Sequence, residues 1–195
     1  MTLYGLAHLL RDRAAPLWNA VEAANGRLFA LSRRKRLARI PGILAARSGP
    51  FILRAATPGD ADALAEFFAA QPAESFEFFR PHGFDAGTLR RLLGNPGFLA
   101  FLALEGGEVA GYFFMRCFAG GKGFAGWFVD RGRRGRGLGG LQISVLAEIA
   151  RALDARLFCS VSPRNAASAA ALKASARTRL LRTLDDGSEL AEILP

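Results

Sequence analysis

The chain has 195 residues, 51% of them hydrophobic and 22% charged, with a formal net charge of +9. That length holds one ordinary domain plus an appendage and buries a real core, and the composition argues against a disordered chain. The charge is uneven: residues 1–50 carry nine Lys/Arg against Asp12 and Glu22, a balance of +7, whereas residues 51–195 carry 17 basic and 15 acidic residues, so the bulk of the chain lacks the basic footprint of a nucleic-acid binder.

Leu3, Leu6, Leu10, Leu17 and Val21 recur at helical spacing, with Pro16 as a kink or break and Asn25-Gly26 as punctuation. A second short helix is expected from Arg27 to Ile40, carrying the basic block Arg33 to Arg36, and Pro41 to Pro50 reads as a linker. Residues 1–50 are thus expected to be a basic, amphipathic helical extension and linker, and residues 51–195 the main domain. Three roles fit the extension: packing on the domain or on a second copy of the chain, lying on an anionic membrane, or touching nucleic acid through its basic block.

After Pro50 the pattern becomes regular. Phe51 to Ala56 reads as a strand, and Thr57, Pro58, Asp60 and Asp62 form a strong helix start. Two helical stretches follow, "ESFEFFRPHGF" and "DAGTLRRLLGN". Two strand runs then meet at Gly106-Gly107, a hairpin signal. "KGFAGWFVD" is another strand, and Leu138, Leu141, Val145, Ile149 and Leu153 give the next helix one apolar face. Arg156 to Ser162 reads as a strand, and Asn165 leads into an alanine-rich helix ending near Ala176. A last hairpin turns about Asp186-Gly187.

Cys117 and Cys159, in no CxxC or Cys/His cluster, fit buried, inert thiols and a reducing compartment; no metal is expected. No apolar run approaches the roughly 18–20 residues of a spanning helix, and Arg11, Asp12 and Arg13 interrupt the N-terminal one. A cytoplasmic protein is expected, with peripheral contact at the inner membrane surface as its variant.

The chemistry concentrates in "DRGRRGRGLGG", Asp130 to Gly140. Glycines between a strand and a helix let the backbone approach a ligand and take positive φ. The first N–H groups of the helix lack intrahelical partners and carry the positive end of its dipole, which suits a phosphate or pyrophosphate. Arg134 and Arg136 would add charge-assisted contacts. The stretch is neither a Walker loop nor a Rossmann fingerprint, since no Gly-Lys-Ser/Thr follows and the spacing is GxGxG.

"FVDRGRRGRGLGG" resembles the acyl-CoA-binding motif of the GNAT N-acetyltransferases, a strand followed by Arg/Gln-x-x-Gly-x-Gly/Ala at a helix start. Arg134, Gly137 and Gly139 take its fixed positions. "FILRAATPGDADALAEFF", "EGGEVAGYFFMR" and "SVSPRNAASAAAL" are similar to the family's flanking segments, in the right order, so the resemblance spans roughly residues 51–195. It implies an α/β (α+β) fold: a mixed β-sheet splayed at its centre and flanked by helices. The ligand would be acetyl-CoA or another acyl-CoA, held by Phe128, Val129, Arg134, Gly135, Arg136, Gly137, Leu138, Gly139, Gly140 and Asn165. Asn165 also reads simply as a helix N-cap. The activity implied is direct attack of an amine on the thioester in a ternary complex. A small metabolite, amino sugar or envelope precursor is the expected acceptor, and a homodimer is a candidate assembly.

The pattern breaks where the family has a Tyr seven residues after the Asn, because Leu172 stands there. The proton donor to the departing thiolate is therefore unassigned, and a non-catalytic CoA-binding or sensing module is the alternative. A membrane-surface enzyme using a lipid-linked amine and a longer acyl chain is another. A base must free the amine lone pair, and Glu77 and His82, set among phenylalanines, are the candidates. Their plainer readings are a surface carboxylate and a turn histidine. Phe76, Phe78, Phe79 and Phe84 read mostly as core.

Overall fold

The computed structural model describes residues 15–47 and 49–194, with side chains from residue 20 onward. Leu3, Leu6 and Leu10 lie outside the described residues. In chain order the elements are α1 (Ala15–Leu37), α2 (Ile40–Ala45), β1 (Ile52–Ala55), α3 (Ala61–Ala69), α4 (Ala86–Leu93), β2 (Phe98–Glu105), β3 (Glu108–Phe118), β4 (Lys122–Val129), α5 (Leu138–Leu153), β5 (Arg156–Val161), α6 (Ala166–Ser175), β6 (Arg177–Thr183) and β7 (Glu189–Leu194).

The seven strands form one open sheet in the order β1-β2-β3-β4-β5-β7-β6. Every neighbouring pair is antiparallel except β4 and β5, which are parallel. Alternation along β3 divides the molecule. Phe113, Met115 and Cys117 face the side covered by α1, α2 and α5, where Phe29, Ile40, Leu44, Leu146 and Ile149 are buried. Tyr112 and Phe114 face the other side, against Leu64 and Phe68 of α3 and Leu89 and Leu92 of α4. Each such fully buried side chain contributes about 1.5–3 kcal/mol.

Local signals explain most boundaries. Thr57 and Asp60 form a capping box around a short 3-10 turn before α3. The Asp85 side chain accepts from the Thr88 N–H and caps α4. Gly106 and Gly107 both take positive φ at the β2–β3 turn. Cys117 and Cys159 are buried, and burial pushes the Cys159 thiol up to about 12. "ESFEFFRPHGF", in contrast, gives only a 3-10 turn over Ala73–Phe76 before an irregular run.

Residues 15–47 differ from their sequence reading in two places. Asn25-Gly26 does not interrupt α1, because both residues are contacts. Asn25 Nδ2 donates to the Cys117 carbonyl at 3.0 Å, and its Oδ1 accepts from the Ala119 N–H at 3.1 Å. Gly26 lies so close to the β2 approach that a Cβ there would sit 2.9 Å from the Gly97 nitrogen. Glycine is needed for that approach, and the packing offsets its helix cost of about 1 kcal/mol. Pro41 to Pro50 contains α2, whose Ile40 and Leu44 are buried in the main core.

Candidate functional site

β4 and β5 pair over only three positions, from Lys122↔Arg156 to Phe124↔Phe158. Beyond them β4 stays with β3 as far as Val129, and β5 stays with β7 as far as Val161. The sheet therefore opens into a V, and from Ala125 onward one edge of β4 has no strand partner. Gln142 of α5 braces this point. It is fully buried, and its Nε2 donates to the Phe128 carbonyl at 3.1 Å.

A groove of about 800 Å³ runs from the V across the start of α5 to the flank of α6. Its turn is built as the glycines suggest. Gly135 and Gly137 have φ of 75° and 80°, and a Cβ on either would point into open space. Gly137 is the N-cap of α5 and offers no side-chain cap to the first helical N–H groups. The volume falls within the range of cofactor-sized pockets.

Of the ten residues expected to hold an acyl-CoA, nine line this groove; Arg136 does not. Its guanidinium forms a two-point ion pair with Glu105 and lies 5.4 Å from the Phe51 ring centroid. Arg133 lines the groove and is held by Glu105, Glu108 and Asp130. Arg134 stays at the groove, with Nη2 donating to the Ser75 hydroxyl at 2.9 Å. Asn165 is the N-cap of α6, its Oδ1 accepting from the Ser168 N–H at 3.1 Å, and the residue also lines the groove.

A second cavity, of about 430 Å³, is lined by both arms of the V, Ala125 to Trp127 of β4 and Ser160 and Val161 of β5. Glu77, Arg80, Arg164 and Asp186 line it together with Ser160 and Ser162. The two cavities share Phe78, Phe79, Trp127, Asn165 and Ser168. Trp127 and Ser168 escaped the sequence reading, although both had a signal. Trp127 is two residues from Val129 on a strand, hence on its face, and Ser168 is one helical turn from Asn165.

The base candidates part company here. Glu77 lies on the wall of the second cavity, its carboxylate 3.6 Å from the Arg164 guanidinium, which in turn sits over the Phe78 ring. His82 lines neither cavity. It is enclosed by the rings of Phe84, Phe98, Tyr112 and Phe114, with centroids 5.4 to 5.8 Å away. Nδ1 faces the Gly83 carbonyl at 2.8 Å and Nε2 faces the Tyr112 hydroxyl at 3.1 Å. The carbonyl accepts only, so Nδ1 donates to it and Nε2 accepts from the tyrosine. Burial pulls His82 down to about 4 and raises the Tyr112 phenol, so both are neutral at pH 7. Of the phenylalanines, Phe76, Phe79 and Phe84 pack against the core and Phe78 is exposed. Leu172 is buried in the main core.

Residues 62–175 match the model of the acetyltransferase (GNAT) family. This chain belongs to the GNAT family. The GNAT domain of S. lividans PAT superposes on it with a TM-score of 0.65 at 20% identity, covering 75% of this chain and 92% of that one. The ribosomal-protein-S5-alanine acetyltransferase of Vibrio fischeri gives 0.62 at 15% identity over 75% and 93%. AAC(6')-Ib in complex with paromomycin and acetyl-CoA gives 0.58 at 17% identity over 75% and 93%. At these identities the likeness is one of fold. No curated protein matches the sequence significantly. The splayed sheet with helices on both faces is therefore the GNAT fold. Among the described residues no group of His, Cys, Asp or Glu is arranged to hold a metal, and no helix is long and apolar enough to cross a membrane.

Proposed function

We propose that the protein is an acyl-CoA-dependent N-acyltransferase, using acetyl-CoA to acylate the amine of a small metabolite, amino sugar or envelope precursor. The observation that carries this reading is the pair of adjoining cavities at the V, which meet at Phe78, Phe79, Trp127, Asn165 and Ser168. A donor in one and an acceptor in the other bring the reacting atoms together at that junction, and attack is direct.

The α5 N-terminus and Arg134 hold the pyrophosphate through N–H groups and a guanidinium. The unpaired edge of β4 from Ala125 to Val129 takes the pantetheine arm as an added strand, and N–H groups there polarise the thioester carbonyl. Glu77, on the acceptor wall, receives the amine proton directly or through water. The attacking nitrogen forms the C–N bond as the C–S bond breaks, and CoA leaves as its thiolate, which takes its proton from water. Arg136 contributes by bracing Glu105 rather than by touching the ligand. The second cavity is small and mixed in charge, which suits an acceptor of sugar or amino-acid size better than a folded protein.

A second reading, a CoA-binding module without turnover, is favoured by Leu172 alone, since its buried side chain cannot protonate a thiolate. Thiol release from acetyl-CoA in the presence of a panel of amines separates the two. Release that depends on one class of amine establishes the enzyme, and tight CoA binding with no release on any amine establishes the module.

A further inference from the structure

Among the described residues nothing covers one face of α1, and its chemistry is unusually uniform. Val21, Leu28 and Leu31 are 55%, 58% and 75% exposed. With the exposed Ala20 and Ala24 they form one ribbon along the helix, at spacings of three, four and seven residues. Arg27 and Arg34 flank the ribbon, and Lys35 and Arg39 close its C-terminal end, all of them exposed. Between residues 20 and 39 the sole acidic residue is Glu22, and it is turned the other way. It pairs with Arg116 at 3.2 Å and lies 3.9 Å from Arg91, both on the body of the protein. Arg33 and Arg36 are also turned inward, donating to the Leu153 carbonyl at the C-terminal end of α5. Apart from the exposed Ser32, what faces outward between residues 20 and 39 is thus apolar and basic.

We infer that this face of α1 docks the protein on an anionic lipid bilayer, the apolar ribbon entering the boundary between headgroups and acyl chains and the flanking cations meeting the headgroups. Charge chooses the occupant. A second copy of the chain would bring the same arginines against these with no carboxylate on either side to neutralise them. An uncharged apolar partner would leave them unused. Placement is compatible as well: α1 packs at the C-terminal end of α5, whereas the glycine turn lies at its N-terminal end, about 24 Å away along the helix. A chain seated on a membrane through α1 keeps the mouth of its groove in water.

The test is co-sedimentation of the full chain with vesicles of phosphatidylglycerol and phosphatidylethanolamine, and with vesicles of phosphatidylcholine alone. Two variants accompany it, Leu28→Ser with Leu31→Ser, and Arg27→Gln with Arg34→Gln and Lys35→Gln. All five positions are exposed, and unchanged CoA affinity and circular dichroism verify that the variants fold. The wild type is expected to sediment with the anionic vesicles only, and less so as salt rises. The triple charge variant is expected to partition about a hundredfold more weakly, and the double serine variant also to lose binding. Equal sedimentation of wild type and both variants overturns the inference, as does a wild type that stays in solution. Overturning it also is a dimer in solution that Leu31→Ser dissociates, which would identify a second copy as the occupant. CoA binding is read separately, so neither result bears on the proposed activity.

Discussion

His82 offers the sharpest check on the arrangement behind the groove, because its burial has a measurable acid cost. In the folded chain it titrates at about 4, and in the unfolded chain at its ordinary value near 6.5. A base whose folded value is depressed favours the unfolded state once the solution can protonate it. Its stabilising effect is complete above pH 6.5, declines as the pH falls from 6.5 to about 4, and changes no further below that. The difference of about 2.5 in pKa amounts to roughly 3 kcal/mol lost across that window. Urea unfolding of the wild type and of His82→Gln at a series of pH values isolates this contribution, since the glutamine can still bond Tyr112 but does not titrate. The variant should be the less stable at neutral pH, and its stability should fall by roughly 3 kcal/mol less than the wild type's on going to pH 4. Parallel pH dependences would refute the partly buried, neutral histidine and reopen His82 as a base.

Gly137→Glu should weaken CoA binding by about 3 kcal/mol, roughly a hundredfold, because a carboxylate would meet the pyrophosphate site; calorimetric titration reads this, and the accompanying left-handed strain of about 1–2 kcal/mol should leave the fold intact. Glu77→Gln should lower turnover on the cognate amine by about 10²–10⁴ while CoA affinity stays unchanged, as expected for a base on the acceptor side; loss of CoA affinity instead would make Glu77 part of the donor groove. Gly26→Val should destabilise the protein by about 1–3 kcal/mol in thermal or urea unfolding, since its Cβ would collide with the backbone at Gly97.

Much of this was readable in the chain, for identifiable reasons. The strands flanking Gly106-Gly107 and the helix from Leu138 have strong periodicity and clear turn chemistry, and the structure has them where those signals lie. The glycine turn was legible because positive φ at Gly135 and Gly137 is a demand of the local backbone. What could not be read depended on distant partners. Asn25-Gly26 is a break in most sequences, and only Gly97 and Cys117, far along the chain, turn it into a contact. Arg136 looked equivalent to Arg134 until Glu105 claimed it. His82 has the intrinsic pKa of a catalyst, and nothing in "FRPHGF" tells that four aromatic rings would close around it.

The V in the sheet has a consequence for handling the protein. An ordinary open sheet has two rims to guard, and this one has four, because β4 and β5 each expose backbone to the cleft beyond Phe124 and Phe158. The outer rim at β6 carries Arg177, Arg179 and Arg182, charges that discourage a foreign strand from adding there. The inner stretch of β4, Ala125-Gly126-Trp127-Phe128-Val129, carries none, and only its depth between the flanking helices shields it. A truncated form lacking α6 and the final hairpin would lay that bare stretch open to strand-by-strand self-association. Solubility on concentration should therefore track how well the cleft is filled.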